Sequence, residues 1–222
     1  MLNIFFPKVC EACNDILNDN QSILCLKCRH ELPVTNFHFN DSQVVKKVLY
    51  GRVKLESATA LLHFSKKSIV QQMLHNLKYR GHEQISGFLG AWLGAELSEI
   101  EKYQAIDVVI PVPLYKTKLR KRGYNQVEKF GMEIAKALHA DYNDQILIKV
   151  KSTKTKVFER RMSRWKNDGA IFSISEIESL KGQHILLVDD IITTGATIEA
   201  CAIELLKIDN IKLSLATMAI AD

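Results

Sequence analysis

The sequence predicts an α/β protein in which helices cover both faces of a mostly parallel sheet, preceded by a small zinc ribbon. Strand-like apolar runs alternate with helical patterns along most of the chain, and four of the five cysteines fall in one short run near the start. With 222 residues, of which 47% are hydrophobic, the chain is long enough for one good core but too short for two full-sized domains. We therefore expect a ribbon module over residues 1–40 and an α/β domain over residues 41–222.

The N-terminal cysteines form two CxxC pairs, Cys10 with Cys13 and Cys25 with Cys28, separated by eleven residues. Two such knuckles complete a tetrahedral site of four sulfurs, for which Zn²⁺ is the usual occupant. Disulfides and a thioredoxin-like redox pair are the alternatives. The opening residues do not form a secretory signal, which favours a reducing, cytoplasmic setting, and a redox motif does not occur doubled at this spacing. The four cysteines thus predict a structural zinc site that supplies much of the folding energy of the ribbon.

Beyond a polar, turn-rich hinge at residues 33–42, strand and helix patterns alternate. Strands are predicted from short runs rich in apolar residues, at 57–64, 106–112, 145–150, 184–189 and 211–219. Helices are predicted from apolar residues that recur every three or four positions, at 65–78, 84–102, 124–139 and 195–208. Buried strands that alternate with helices form parallel sheets, and such sheets bind ligands beyond the carboxyl ends of their strands. No stretch is long and apolar enough to insert into a membrane.

The segment 185–197, ILLVDDIITTGAT, carries the sharpest functional signal. An apolar strand ends in two adjacent carboxylates, and a turn rich in threonine and glycine then opens a helix. Backbone N–H groups at a helix N-terminus and threonine hydroxyls are donors suited to a phosphate, while the carboxylates suit vicinal hydroxyls, directly or through a divalent ion. The segment predicts a site for a ribose 5-phosphate, whose residues are Asp189, Asp190, Thr193, Thr194, Gly195, Ala196 and Thr197.

Two other interpretations of this segment compete. Two acids after an apolar strand also occur in phospho-acceptor receiver domains, but that fold needs roughly a hundred residues downstream, and 32 follow Asp190. An ordinary strand followed by a threonine-capped helix is the plainer alternative, and it does not account for two carboxylates beside such a turn.

Positive charge is concentrated in two segments. Residues 116–122 hold five basic residues and no acidic one, and residues 149–166 hold eight basic residues and one acidic one, although the net charge of the whole chain is +5. The rest of the chain is therefore mildly acidic. Such asymmetry indicates a polyanionic partner, either a nucleic acid or a small phosphorylated molecule, with a solvated lysine-rich surface as the alternative.

The segment 185–197 resembles the PRPP-binding motif of type I phosphoribosyltransferases. The run Lys78, Tyr79, Arg80 and Gly81 is similar to their pyrophosphate-side loop. Residues 111–114 (PVPL) lead into residues 122–126 (RGYNQ), and with the four-cysteine ribbon in front this order resembles the competence protein F family (ComFC/GntX-like proteins). The resemblance spans nearly the whole chain and implies a type I phosphoribosyltransferase-like fold.

The resemblance further implies a Mg²⁺-dependent transfer of ribose 5-phosphate from PRPP to an unidentified acceptor, in DNA uptake or natural transformation. The basic run 151–166 resembles the mobile loop that closes over such sites, with a merely exposed linker as the alternative. Its candidate closing residues are Arg160, Arg161 and Arg164.

A non-catalytic role is the alternative hypothesis. The protein would then bind single-stranded DNA, next to other DNA-uptake proteins such as a helicase, and its PRPP site would be sensory or vestigial. Basic residues next to an aromatic ring suit single-stranded DNA, because the Lys and Arg side chains neutralise phosphates and the ring stacks on nucleobases. The residues concerned are Lys118, Arg120, Lys121, Arg122 and Tyr124.

Overall fold

The computed structural model describes residues 7–18, 20–40, 42–151, 171–175 and 177–221. Seven strands lie within these residues: β1 Ala58–Phe64, β2 Val108–Pro111, β3 Asp141–Tyr142, β4 Leu147–Lys149, β5 Phe172–Ile174, β6 His184–Ile192 and β7 Lys212–Ala221. Five of them form a parallel sheet in the order β1-β7-β6-β2-β3, and β4 and β5 form a separate antiparallel pair.

The helices surround this sheet. They are α1 Leu26–His30, α2 Val44–Val48, α3 Ile69–Tyr79, α4 Gln84–Ser98, α5 Glu101–Gln104, α6 Lys116–Arg122, α7 Glu128–Leu138 and α8 Ala196–Leu205, with a 3₁₀ turn at Ile177–Leu180. Helix α3 begins at a capping serine, since the hydroxyl of Ser68 accepts a hydrogen bond from the N–H of Gln71 at 3.2 Å. No helix in the described part of the chain is long and apolar enough to cross a bilayer.

Side chains of the central strands alternate between two apolar layers, as the pleat of a strand requires. In β6, Leu186 and Val188 are buried in the layer that contains α3, α4 and α7. Their neighbours Ile185 and Leu187 are buried in the layer that contains α2, α8 and the β4–β5 pair. The expected α/β fold, with a parallel sheet covered on both faces, is confirmed.

Several segments differ from the sequence-based expectation. The helix expected at 84–102 ends at Ser98 and is followed by the separate helix α5. Residues 145–150 contribute β4 to the small antiparallel sheet rather than a strand to the main one. Residues 116–122 form a helix that the pattern did not indicate, because Leu119 is their single apolar residue. The expected hinge at 33–42 begins with an attachment to β1, where Thr35 N donates to the carbonyl of Leu61 at 3.0 Å and His63 N donates to that of Pro33 at 2.8 Å.

The strand order creates a crevice at the carboxyl ends of β2 and β6. These two strands are neighbours, but the chain continues from β2 towards β3 at one edge and from β6 to β7 on the other side. Connections that diverge from adjacent parallel strands leave an open space between them, where ligands of such sheets bind. The segment 185–197 reaches this space at the end of β6.

Candidate functional site

Two buried carboxylates lie at the end of β6. The Oδ1 atom of Asp189 accepts a hydrogen bond from the N–H of Asp190 at 2.8 Å. The Oδ2 atom of Asp190 lies 2.7 Å from Nε2 of Gln126, which donates to it, and 2.9 Å from the ammonium of Lys78. Both acids therefore lie towards the carboxyl end of β6, and two other segments of the chain hold the side chain of Asp190.

The surroundings of Asp189 disfavour its charged form. Burial, and then the negative charge of Asp190, raise the pKa of Asp189 from its ordinary value of 3.8 to about 8, although Lys78 and Lys149 act in the opposite direction. A carboxyl with such a pKa is neutral over most of the physiological range. It can donate one hydrogen bond as well as accept others, which suits a ligand that carries hydroxyl groups.

The turn after β6 exposes backbone donors. Gly195 has a φ of +75° and directly precedes α8. The N–H of Ala196, the first amide of the helix, makes one long hydrogen bond of 3.5 Å to the hydroxyl of Thr194. No described residue accepts from the N–H groups of Thr197 and Ile198. Free amides at the start of a ten-residue helix favour an anion, because they lie at the positive end of its dipole.

This turn rests on a segment that the sequence analysis did not connect with it. A Cβ atom at Gly195 would lie 2.6 Å from Cδ2 of Leu49, just after α2. From the same segment, Arg52 donates to the carbonyl of Thr194 at 3.0 Å and forms an ion pair with Glu199 of α8 at 2.5 Å. Arg52 therefore fixes the turn to the first helical turn of α8.

Basic side chains line a cavity of about 340 Å³ next to the acid pair. It lies between the end of α3 and helix α6, and its lining residues are Lys78, Tyr79, Gly81, Lys118, Lys121, Arg122 and Tyr124. Four of these seven side chains are cationic, so the cavity suits a ligand with several negative charges. Three of the four pyrophosphate-side residues and four of the five candidate nucleic-acid residues thus share one cavity.

Hydrogen bonds connect the wall of this cavity to the acid pair. Arg122 donates to Oε1 of Gln126, whose amide nitrogen donates to Asp190. The hydroxyl of Tyr124 donates to the carbonyl of Leu77, and burial raises the pKa of this phenol. The basic helix and the acids are therefore held in one network rather than on separate surfaces.

The four N-terminal cysteines converge as their spacing predicts. Their Sγ atoms all lie within 4.8 Å of one another, and Sγ of Cys13 and Sγ of Cys25 are 3.8 Å apart. A Zn–S bond of about 2.3 Å implies tetrahedral edges of about 3.8 Å, whereas a disulfide would need about 2.05 Å. All four are free thiols, and three backbone N–H groups outweigh the effect of burial and lower the pKa of Cys10 to about 7. The donor set fits a metal ion such as Zn²⁺.

Comparison with known proteins agrees with this arrangement. Residues 128–222 match the family model of the phosphoribosyl transferase domain. The DNA utilization protein YhgH of Shigella flexneri is 24% identical over 202 residues, which cover 90% of this chain and 84% of that protein. The competence protein ComFC of Bacillus subtilis is 25% identical over 198 residues, 88% of this chain and 76% of that protein.

A solved structure of the glutamine PRPP amidotransferase from B. subtilis is 18% identical, with a TM-score of 0.42. The match covers 64% of this chain and 30% of that protein.

Not every candidate residue of the α/β part of the chain lies in the basic cavity. Arg80 lines a different cavity, of about 450 Å³, with Lys67 and His75. Arg120 belongs to α6 but does not line the basic cavity. The loop residues Arg160, Arg161 and Arg164 lie outside the described residues.

Proposed function

We propose that this protein binds PRPP with Mg²⁺ and transfers its ribose 5-phosphate group to an acceptor. One observation carries the proposal: Lys78 of the basic cavity forms an ion pair with Asp190, and the turn that leads into the free amides of α8 follows this acid along the chain. The 5-phosphate would lie at the turn of residues 193–197, the ribose hydroxyls at Asp189 and Asp190, and the pyrophosphate at Lys78, Tyr79 and Gly81.

The transfer breaks one bond and forms one. The C1–O bond of the ribose breaks and pyrophosphate leaves with the bonding electrons, while a lone pair of the acceptor forms the new bond to C1. Positive charge grows on the sugar and negative charge on the leaving group, so catalysis depends on positioning and electrostatic stabilisation. Carboxylate and phosphate oxygens are the ligands that Mg²⁺ takes, and the ion would neutralise the departing pyrophosphate.

The residues of this chain have distinct roles in that scheme. The cations around the cavity, Lys78, Lys118 and Lys121, would hold the pyrophosphate and lower the free energy of its release. A neutral Asp189 can donate to one ribose hydroxyl while Asp190 accepts from another. Lys78 lines the basic cavity and also forms an ion pair with Asp190. It would therefore orient the leaving pyrophosphate relative to the sugar.

Similarity to YhgH and ComFC supports a place for this activity in the use or uptake of DNA. The proposed arrangement of the chain is a metal-binding module over residues 1–40, followed by the transferase-like domain over residues 41–222.

Titration calorimetry with PRPP and Mg²⁺ tests the ribose assignment. Wild-type protein is expected to bind, and Asp189→Asn combined with Asp190→Asn should lower the affinity by about a hundredfold or more, because hydrogen bonds to charged groups contribute about 1.5–3 kcal/mol each. Asp209→Asn is the matched control, since this acid is exposed and lies after α8, away from the turn. Equal affinities of the double variant and the control would contradict the assignment. Release of pyrophosphate with candidate acceptors then separates transfer from binding alone.

The basic cavity favours a second candidate function, the binding of single-stranded DNA. The ring of Tyr79 is 71% exposed and lies beside Arg122, whose guanidinium is 5.9 Å from the ring centroid. Lys118 and Lys121 lie on the same cavity, so stacking and phosphate neutralisation could act together.

Salt dependence tests this second candidate. Affinity for a fluorescent oligonucleotide should fall steeply between low and high salt, and Lys118→Ala with Lys121→Ala should lower both the affinity and its salt slope, because two phosphate contacts are lost. Lys207→Ala is the control, since this lysine pairs with Glu204 on α8. Binding that does not change with salt, or a control as weak as the double variant, would argue against a DNA role for the cavity.

A further inference from the structure

Glu11 is a buried carboxylate inside the first cysteine knuckle, between Cys10 and Cys13, and it is 6% exposed. Its Oε2 atom contacts Nδ1 of His82, and its Oε1 atom accepts a hydrogen bond from Nε2 of Gln84 at 2.8 Å. Its backbone carbonyl accepts a hydrogen bond from the side chain of Asn76 at 2.9 Å. The side chain and the carbonyl of this residue therefore both bind the segment 76–84.

That segment contains the proposed pyrophosphate loop. Asn76 lies in the last turns of α3 and Gln84 begins α4, so Glu11 holds both sides of the four residues that join the two helices. Within the connection, Gly81 has a φ of +80°. On the other side of the loop, Lys78 forms its ion pair with Asp190. A continuous set of contacts thus leads from the cysteine knuckle, through the loop, to the acid pair.

The knuckle can fix the loop only if it is itself fixed. The N–H of Glu11 donates to the carbonyl of Ile23 at 2.9 Å, which joins the two knuckles, and a metal ion held by four sulfurs would immobilise the peptide on both sides of Glu11. If the knuckle moves, the carboxylate of Glu11 and its partners in the segment 76–84 lose their hydrogen bonds. Buried polar groups without partners raise the free energy of the folded state, so the segment would then shift to expose them to water. The position of Glu11 would therefore depend on the metal, and that of the loop on Glu11.

We propose that Glu11 is a positioning residue through which the metal-held knuckle sets the conformation of residues 78–81, so that PRPP affinity depends on metal occupancy. This inference rests on the proposed PRPP site for its functional consequence, but its structural part concerns the protein without ligand. The two parts are tested separately.

Amide hydrogen exchange of the full chain, without PRPP, tests the structural part. Glu11→Gln removes the carboxylate from the contact with His82 and keeps the size of the side chain, and Gln84→Ala removes the other side-chain partner while the knuckle stays intact. In both variants the amides of residues 76–84 should exchange at least about tenfold faster than in the wild type. This ratio corresponds to a decrease of about 1.4 kcal/mol in the free energy of local opening. Removal of Zn²⁺ from the wild type should do the same. Glu31→Gln is the control, because Glu31 is exposed just after α1. Unchanged exchange in the segment for both variants would overturn the inference.

Calorimetry with PRPP and Mg²⁺ tests the functional part. Gln84→Ala, with its zinc content verified by mass spectrometry, should bind PRPP about tenfold more weakly than Glu31→Gln does. Equal affinities, together with faster exchange, would overturn the dependence of PRPP affinity on the knuckle. If the wild type itself fails to bind PRPP, the proposed function fails, while the exchange experiment still decides whether Glu11 fixes the loop.

Discussion

Asp189 shows at the residue scale that the end of β6 is not optimised for stability alone. A buried carboxyl beside a second carboxyl raises the free energy of the folded state when it ionises, and Lys78 and Lys149 offset only part of this effect. A serine or asparagine at this position could satisfy the same backbone donor without a charge. An acid in such surroundings is typical of a functional site, where a perturbed pKa serves a ligand.

Asp189→Asn should change the dependence of stability on pH. The folded-state pKa of Asp189 lies at about 8, above its ordinary value of 3.8, so the folded protein binds more protons than the unfolded chain between these values. The contribution of this group to stability is therefore complete at low pH and is lost as the pH rises to about 8. Asparagine removes that loss, so the Tm of the variant minus that of the wild type should increase from pH 5 to pH 8 in thermal unfolding. A difference that stays constant or decreases would contradict the raised pKa.

The residues that sequence reasoning missed share a physical property, which is a partner far away along the chain. Arg52 binds a carbonyl 142 residues later, Gln126 binds an acid 64 residues later, and Glu11 contacts a histidine 71 residues later. Local patterns identified Asp189 and Gly195, because a strand end, a turn and a helix start are close together in the sequence. Supporting contacts between distant segments leave no such periodic signal.

At the scale of elements, the turn between β6 and α8 has a conformation that excludes a side chain. The positive φ of Gly195 is unfavourable for other residues, and a Cβ atom there would also overlap Leu49. Glycine therefore allows the turn to pack against the end of α2 while its amides stay available. The sequence predicted the glycine from its use in phosphate turns, and the packing on Leu49 is a second reason that only the fold reveals.

Gly195→Ala should destabilise the protein more than an alanine that adds backbone strain alone. Gly182 is a matched control, since it has a similar φ of +74° but nothing within 4 Å of an added Cβ. Gly182→Ala should cost about 1–2 kcal/mol, and Gly195→Ala should cost about 1–3 kcal/mol more, because the side chains it meets must move. Urea unfolding of both variants measures the difference. Equal losses would show that Leu49 yields to the new side chain without cost.

Periodicity predicted most elements correctly, and its failures have clear causes. The strands and helices of the main sheet have apolar faces, because each must be buried in one of the two layers. Helix α6 has no buried residue, so no apolar face marks it in the sequence, and it ends at Gly123 with a φ of +87°. Strand β4 has the pattern of a sheet strand, and its pairing with β5 instead of β3 is a tertiary choice that one segment does not encode.

At the scale of the whole molecule, the segment around the four cysteines and the α/β core bury side chains in the same apolar layer. Ala12, Leu17 and Leu24 of the module belong to one buried cluster with Met73 and Leu77 of α3. A segment of about 40 residues cannot bury enough surface to be stable alone. Here part of its apolar surface is covered by the α/β core. The metal and the α/β core would therefore stabilise each other.

Removal of the metal should consequently lower the stability of the whole chain in a single transition. In calorimetry, protein treated with a chelator, or Cys13→Ser, should unfold at a Tm lower by about 10 °C or more, since a loss of several kcal/mol shifts a domain of this size by about 2–4 °C per kcal/mol. The melting peak should remain single, because Ala12, Leu17 and Leu24 share a buried layer with α3. Opening the knuckles therefore exposes part of the core and destabilises the sheet at the same time. Addition of Zn²⁺ should restore the Tm of the chelated wild type but not that of the variant. Two separate peaks, with the upper one unmoved, would show that the module unfolds alone and that the shared layer does not couple it to the sheet.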